Sequence, residues 1–152
     1  MRAHAQECSL MNDKARNIGY WAATGIVGLA FAAGGVGDLS GSPQILEGMA
    51  HLGYPAYFAT ILGAWKVLGA VALLAPRFPR LKEWAYAGIF FDLTGAAASH
   101  AESGDPAGKV ITPLVLLAIA AASWALRPES RKLASEPKRE AEARIGKPAL
   151  AT

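Results

Sequence analysis

The chain has 152 residues, 53% of them hydrophobic and 18% charged, with a formal net charge of +3. A soluble domain carries about 25% charged residues, and the shortage here is concentrated in the middle of the chain. Residues 1–16 hold 5 of the 27 charged residues and residues 127–152 hold 11, so the 110 residues between them hold only 11. That middle block cannot give every element a polar outer face, which excludes an ordinary soluble fold, a disordered chain and a disulfide scaffold. The isoelectric point near 9.2 is read as a membrane signal and not as a nucleic-acid one, because the middle is so apolar.

Residues 1–16 form a cytoplasmic N-terminal tail containing Cys8, the single cysteine. With no Cys-x-x-Cys, the chain cannot run dithiol–disulfide chemistry alone. Asn17–Gly37 then runs 21 residues without a charge. It is longer than the about 7–15 residues of a signal-peptide core, so it is read as an uncleaved helix. A second apolar segment covers 56–75, interrupted by Lys66. A third covers 82–101, apolar from Trp84 except for Asp92, and a fourth covers 110–126 without a charge. Crossing a bilayer core takes about 17–25 apolar residues in a helix, and period-two alternation is absent. The expected fold is all-α, an integral membrane four-helix bundle over 17–126. Residues 127–152, basic and with three prolines, are expected to be a disordered or weakly helical cytoplasmic tail.

Lys and Arg set the orientation. Arg2, Lys14 and Arg16 precede the first helix, Arg77, Arg80 and Lys82 follow the second, and seven more lie in the tail. The other two loops share only Lys109. Both termini and the middle loop are therefore placed in the cytoplasm. The aromatics agree: Tyr20, Trp21, Trp84, Tyr86 and Trp124 fall at the inner helix ends, and Tyr54, Tyr57 and Phe58 at an outer one. In the first outer loop, Ser42-Pro43 opens a short helix that ends at Gly53. Ile45, Met49 and Leu52 share one of its faces, and Gln44, Glu47 and His51 the other. It reads as an interfacial connector, or as a lid over a cavity.

The sharpest anomaly is a pair of ionisable residues in mid-membrane. Lys66 lies about 15 Å into its helix and Asp92 about 12 Å into the next, entered from opposite sides. The short loop between these helices makes them antiparallel neighbours, so a Lys66–Asp92 pair is expected. Gly63, Lys66, Gly69 and Ala70 would face Gly88, Asp92, Gly95 and Ser99 across a close helix contact. The pair is either a proton or ligand site or a lock on helix register. Asp38, Glu47, His51, His100, Glu102 and Asp105 gather at the outer end, and their spacing matches no metal motif.

Leu52-Gly53-Tyr54-Pro55, Leu62-Gly63, Lys66, Gly69-Ala70, Pro76, Lys82-Glu83-Trp84-Ala85-Tyr86-Ala87-Gly88, Phe91-Asp92, Gly95-Ala96 and His100 together resemble the DoxX-like family of small four-helix bacterial membrane proteins. The resemblance covers about 50 residues well and the block from Asn17 to Leu126 loosely. It implies a multi-pass protein of the bacterial cytoplasmic membrane. It also implies a link to thiosulfate:quinone oxidoreductase subunits, through the family's name-giving relatives, with no catalytic residue to carry over.

Two functions follow. One is a redox-associated membrane subunit that binds a quinone or small lipophile, with Lys66, Asp92, Trp65, Glu47, His51 and His100 as candidate site residues. The other is a non-catalytic scaffold in which the buried pair only fixes packing. A quinone is the cofactor the first reading admits, and no covalent cofactor or metal is expected. The partners are the lipid bilayer, with a soluble redox protein or a second copy of the chain beside it, and no nucleic acid. A cavity between the helices at Lys66 and Asp92 favours the first function, and solid Gly/Ala packing there the second.

Overall fold

A computed structural model describes the backbone of residues 2–133 and the side chains of residues 13–133. The side chain of Cys8 and the tail from residue 134 onward lie outside the described residues. Within them the chain is all-helical: α1 (Arg2–Ser40), α2 (Pro43–His51), α3 (Ala56–Leu74), α4 (Pro79–Glu102), α5 (Ala107–Ala125) and a 3₁₀ turn (Glu129–Arg131). α1 packs against α3 and α5, α4 packs against α5 and α3, and α2 rests on α3.

α1 is 39 residues long. It includes most of the segment expected as a tail, because no Gly or Pro occurs before Gly19 and the residues there are good helix formers. It ends where Gly41 turns to a φ of 58°. Only a residue without a Cβ takes that conformation readily. Pro43 then opens α2 as its first-turn residue, while the Ser42 side chain makes no capping bond. Ile45, Met49 and Leu52 are half-buried and Gln44, Glu47 and His51 exposed, the two faces expected of this helix.

Among the described residues, three helices are long and apolar enough to cross a membrane: Asp13–Ser40 of α1, and all of α3 and α5. Four were expected. α4 is long enough, but Asp92, Thr94, Ser99 and His100 dilute the apolar stretch that follows its charged first turns. The outward faces of all four long helices are nonetheless apolar, with Ile18, Leu29, Val71, Phe91 and Ile111 each more than half exposed. Solvated domains seldom present so continuous an apolar surface.

The interior is built from Tyr20, Val27, Phe31, Ala70, Leu73, Ile89, Leu93 and Ala120. Its tightest seam lies between α1 and α3. A Cβ placed on Gly35 would come within 2.8 Å of the Gly63 carbonyl oxygen, and one on Gly63 within 2.7 Å of that of Gly35. The two backbones therefore touch, as helices do when small residues carry their association. This corrects the expected pairing of Gly63 with α4. Gly69, Gly88 and Gly95 have nothing within 4 Å of where a Cβ would sit, so they mark open space instead of close contact.

The end of the structure that carries the α3–α4 turn is stitched by polar side chains. Lys82, counted above as a loop charge, is fully buried, and its ammonium donates to the carbonyl oxygens of Ala72, Leu73 and Ala75. These are carbonyls that the end of α3 leaves without helical partners. Tyr20 and Tyr86, expected at the headgroups, are also buried. Ser123 Oγ bonds both Tyr86 OH, at 2.8 Å, and Thr24 Oγ1, at 2.7 Å, joining three helices.

Residues 127–133, assigned above to a disordered tail, are part of this packing. Arg127 is 4% exposed and holds Glu83 at 2.7 Å with Tyr86 and Trp124 against its guanidinium. Arg131 lies 4.4 Å from the Trp21 ring centre and donates to Tyr20 OH. Arginine's planar, weakly hydrated head suits such aromatic sites.

Candidate functional site

Lys66 sits three residues after Gly63 on α3, and Asp38 three residues after Gly35 on α1. Because these two helices run antiparallel, each of the two side chains lies across from the other helix's glycine, Lys66 Cβ beside Gly35 and Asp38 Cβ beside Gly63. Lys66 Nζ donates to Asp38 Oδ2 at 2.9 Å and lies 4.0 Å from Asp92 Oδ1. The expected partner is thus the more distant of two carboxylates. Helical side chains lean toward their own N-terminus, which carries the Lys66 ammonium toward the end of α3 where Asp38 lies. Asp38 is buried, whereas the grouping above left it among outer-loop polars because the first helix was stopped at Gly37. The matching spacing of Gly35–Asp38 and Gly63–Lys66 was the signal that could have found it.

Between α3 and α4 is a cleft of about 620 Å³. Phe31, Trp65 and Leu68 line it together with Trp84, Phe91 and Ala72, and Lys66 and Asp92 are its charged residues. Gly69 and Gly88 also line it, and their missing Cβ atoms leave the space open. Trp65, Trp84 and Phe91 are each more than two-thirds exposed, so the cleft opens sideways along the apolar surface. Asp38 does not line it. Its size and mainly apolar wall with few polar groups match sites for small ligands.

The other candidates lie elsewhere. Asp105, in the turn before α5, takes His100 Nδ1 at 2.8 Å, His51 Nε2 at 3.2 Å and Lys109 Nζ at 2.9 Å. The hydrogen bonds from His100 and Lys109 hold its carboxyl well below the usual carboxylate range. Tyr54 OH meets Ser99 Oγ at 2.7 Å beside this cluster's helices. Together these contacts fasten α2 and its following turn to α4 and α5. His51 and His100 therefore belong to a clasp and not to the cleft. Glu47 is exposed and joins neither. Among the described residues, no three His, Cys, Asp or Glu are grouped so as to hold a metal ion.

Helices of this apolarity, with a sideways-opening cleft ending on two ionisable side chains, define an all-helical membrane protein. The sequence model of the DoxX-like family matches residues 22–123, and the chain belongs to that family. No curated protein and no solved structure matches the chain.

Proposed function

We propose that the protein is a multi-pass protein of the bacterial cytoplasmic membrane in which α1, α3, α4 and α5 form a four-helix bundle with both termini inside. Its function is to bind a small lipophile that enters the α3–α4 cleft from the bilayer. The observation that carries this reading is the cleft itself: about 620 Å³ of mainly apolar space reaching Lys66 and Asp92. Solid packing of Gly69 against Gly88 would have spoken against it. α4 serves as the fourth span because Asp92 turns toward the cleft, Ser99 and His100 toward the clasp, and Thr94 donates to carbonyls of its own helix, while its lipid side carries Trp84, Phe90 and Phe91. A redox-associated subunit that holds a quinone headgroup near Lys66 is the form of this function that the family's relatives suggest, with a soluble redox protein or a second copy as partner.

The second reading, a scaffold without a ligand, draws on the Lys66–Asp38 contact, which closes the α1–α3 seam beside the glycines. One experiment separates the two. The protein is purified in mild detergent, its lipophilic extract is identified by mass spectrometry, and the comparison is made with Gly88→Leu, which fills the cleft. A compound enriched in the wild type and absent from the variant supports binding. Equal extracts from both leave the scaffold.

A further inference from the structure

The charges at the cleft narrow what it can hold. Two carboxylates, Asp38 and Asp92, face one ammonium, Lys66. Lys66 is committed to Asp38 at 2.9 Å, and at 4.0 Å from Asp92 it is beyond hydrogen-bond reach. No other described element restores the balance. α5 carries only Lys109, which is bound to Asp105, and Glu47 and His51 of α2 do not line the cleft. The described charges of α1 other than Asp38 are Asp13, Lys14 and Arg16, more than 20 residues before it. Counted with both carboxylates ionised, the site thus holds one negative charge in excess, and Asp92 is the carboxylate that lines the cleft.

Such a charge in apolar surroundings is satisfied by a proton or by a bound cation. The walls favour a cation of a particular kind. Trp65, Trp84, Phe31 and Phe91 line the same cleft as Asp92, and aromatic faces attract cations most strongly where water is excluded. An anion such as a fatty-acid carboxylate would meet a like charge and find Lys66 already engaged. We propose, building on the reading of the cleft as a lipophile site, that its ligand is a lipophilic cation, in place of a neutral quinone, with Asp92 as counter-ion, exchanged against a proton at that carboxylate.

The test uses three aryl compounds of similar shape and different charge on the full-length protein in detergent: tetraphenylphosphonium, triphenylphosphine oxide and tetraphenylborate. Binding is followed by equilibrium dialysis and by quenching of the cleft tryptophans. Tetraphenylphosphonium should bind, more tightly as pH rises because protons compete for Asp92, and tetraphenylborate should not. Asp92→Asn should lose about ten-fold or more in affinity for the cation, as for a desolvated charge contact, and should lose the pH dependence. Asp92→Glu should keep both. Asp38→Asn should weaken cation binding although Asp38 does not line the cleft, because Lys66 is then free to neutralise Asp92. Retained binding of triphenylphosphine oxide by the Asn variants shows that they are folded. Binding of the neutral compound without preference for the cation overturns the charge assignment and leaves the lipophile site standing. Failure of all three to bind the wild type overturns both.

Discussion

Lys66 gives its short contact to Asp38, 2.9 Å away on α1, and stands 4.0 Å from Asp92 on α4. The two carboxylates therefore have different duties. Asp38 closes a seam where two helix backbones touch, and Asp92 faces open space. Removing one partner of a buried pair strands the other, at about 3–5 kcal/mol, and removing both restores much of that. Asp38→Asn combined with Lys66→Met should accordingly recover stability that either change alone loses. Asp92→Asn with Lys66→Met should show weaker coupling. Thermal denaturation of the single and double variants in detergent measures both couplings, and a larger one for Asp92 would reverse the assignment.

The glycines divide in the same way. Gly35→Ala and Gly63→Ala each push a methyl to within 3 Å of a facing carbonyl oxygen, so both should destabilise by about 1–3 kcal/mol through overpacking. Gly69→Ala and Gly88→Ala meet nothing and should leave stability near wild type while narrowing the cleft. Chemical denaturation of the four variants under one detergent condition ranks them. Equal losses across the set would mean that α3 and α4 close on each other in solution.

The helical class, the three apolar spans in α1, α3 and α5 and the amphipathic α2 were legible in the sequence, because each depends on hydropathy over one local segment. What was not legible depends on where a segment goes next. Stopping the first helix at Gly37 hid Asp38, since a glycine is a poor stop when helix-compatible residues follow it. Lys82 looked like a loop charge because a lysine that caps carbonyls of the preceding helix is indistinguishable in sequence from one that faces the cytoplasm. Arg127 and Arg131 were assigned by composition to a tail, and their sites exist only once Tyr20, Trp21, Tyr86 and Trp124 have been brought together from three helices. The cleft was named in advance only as one of two alternatives, because glycines signal close contact and open space equally well.

The Asp105 clasp has a defined response to acid. Hydrogen bonds from His100 and Lys109 depress the Asp105 carboxyl, so its contribution is present above the unfolded value of about 3.9 and is lost only as pH falls through the lower folded value. Asp105 should therefore keep α2 in place throughout the mildly acid range. Asp105→Asn weakens the contacts to His51, His100 and Lys109 at every pH. Hydrogen exchange of Pro43–His51 should be unchanged in the wild type from pH 7 down to about 5, once corrected for intrinsic rates, and faster in the variant at both ends. Loss of protection in the wild type within that range would show that Asp105 is not the element that holds α2.

Arg127 is 4% exposed, bonds Glu83 at 2.7 Å and lies against two aromatic rings, so it is a packed residue although it follows the last span. Its removal leaves the Glu83 carboxylate, among the described residues, with the Trp124 indole at 3.0 Å, and takes the cation from Tyr86. Arg127→Ala should cost about 3 kcal/mol, at the lower end for a broken buried pair because Glu83 is 32% exposed and water can partly replace the arginine. Arg127→Lys should recover only part of this, since an ammonium cannot bond Glu83 and also bond the Trp124 carbonyl in the fixed fork that arginine uses. Arg131→Ala, which loses the stack on Trp21 and the bond to Tyr20 without stranding a carboxylate, should cost less than Arg127→Ala. Thermal stability in detergent, with Trp fluorescence reporting Trp21 and Trp124, gives the order of the three variants. If all three melt with the wild type, residues 127–131 are a solvated tail after all, and among the described residues the end that carries the α3–α4 turn is held by Lys82 and the Tyr86–Ser123–Thr24 bonds.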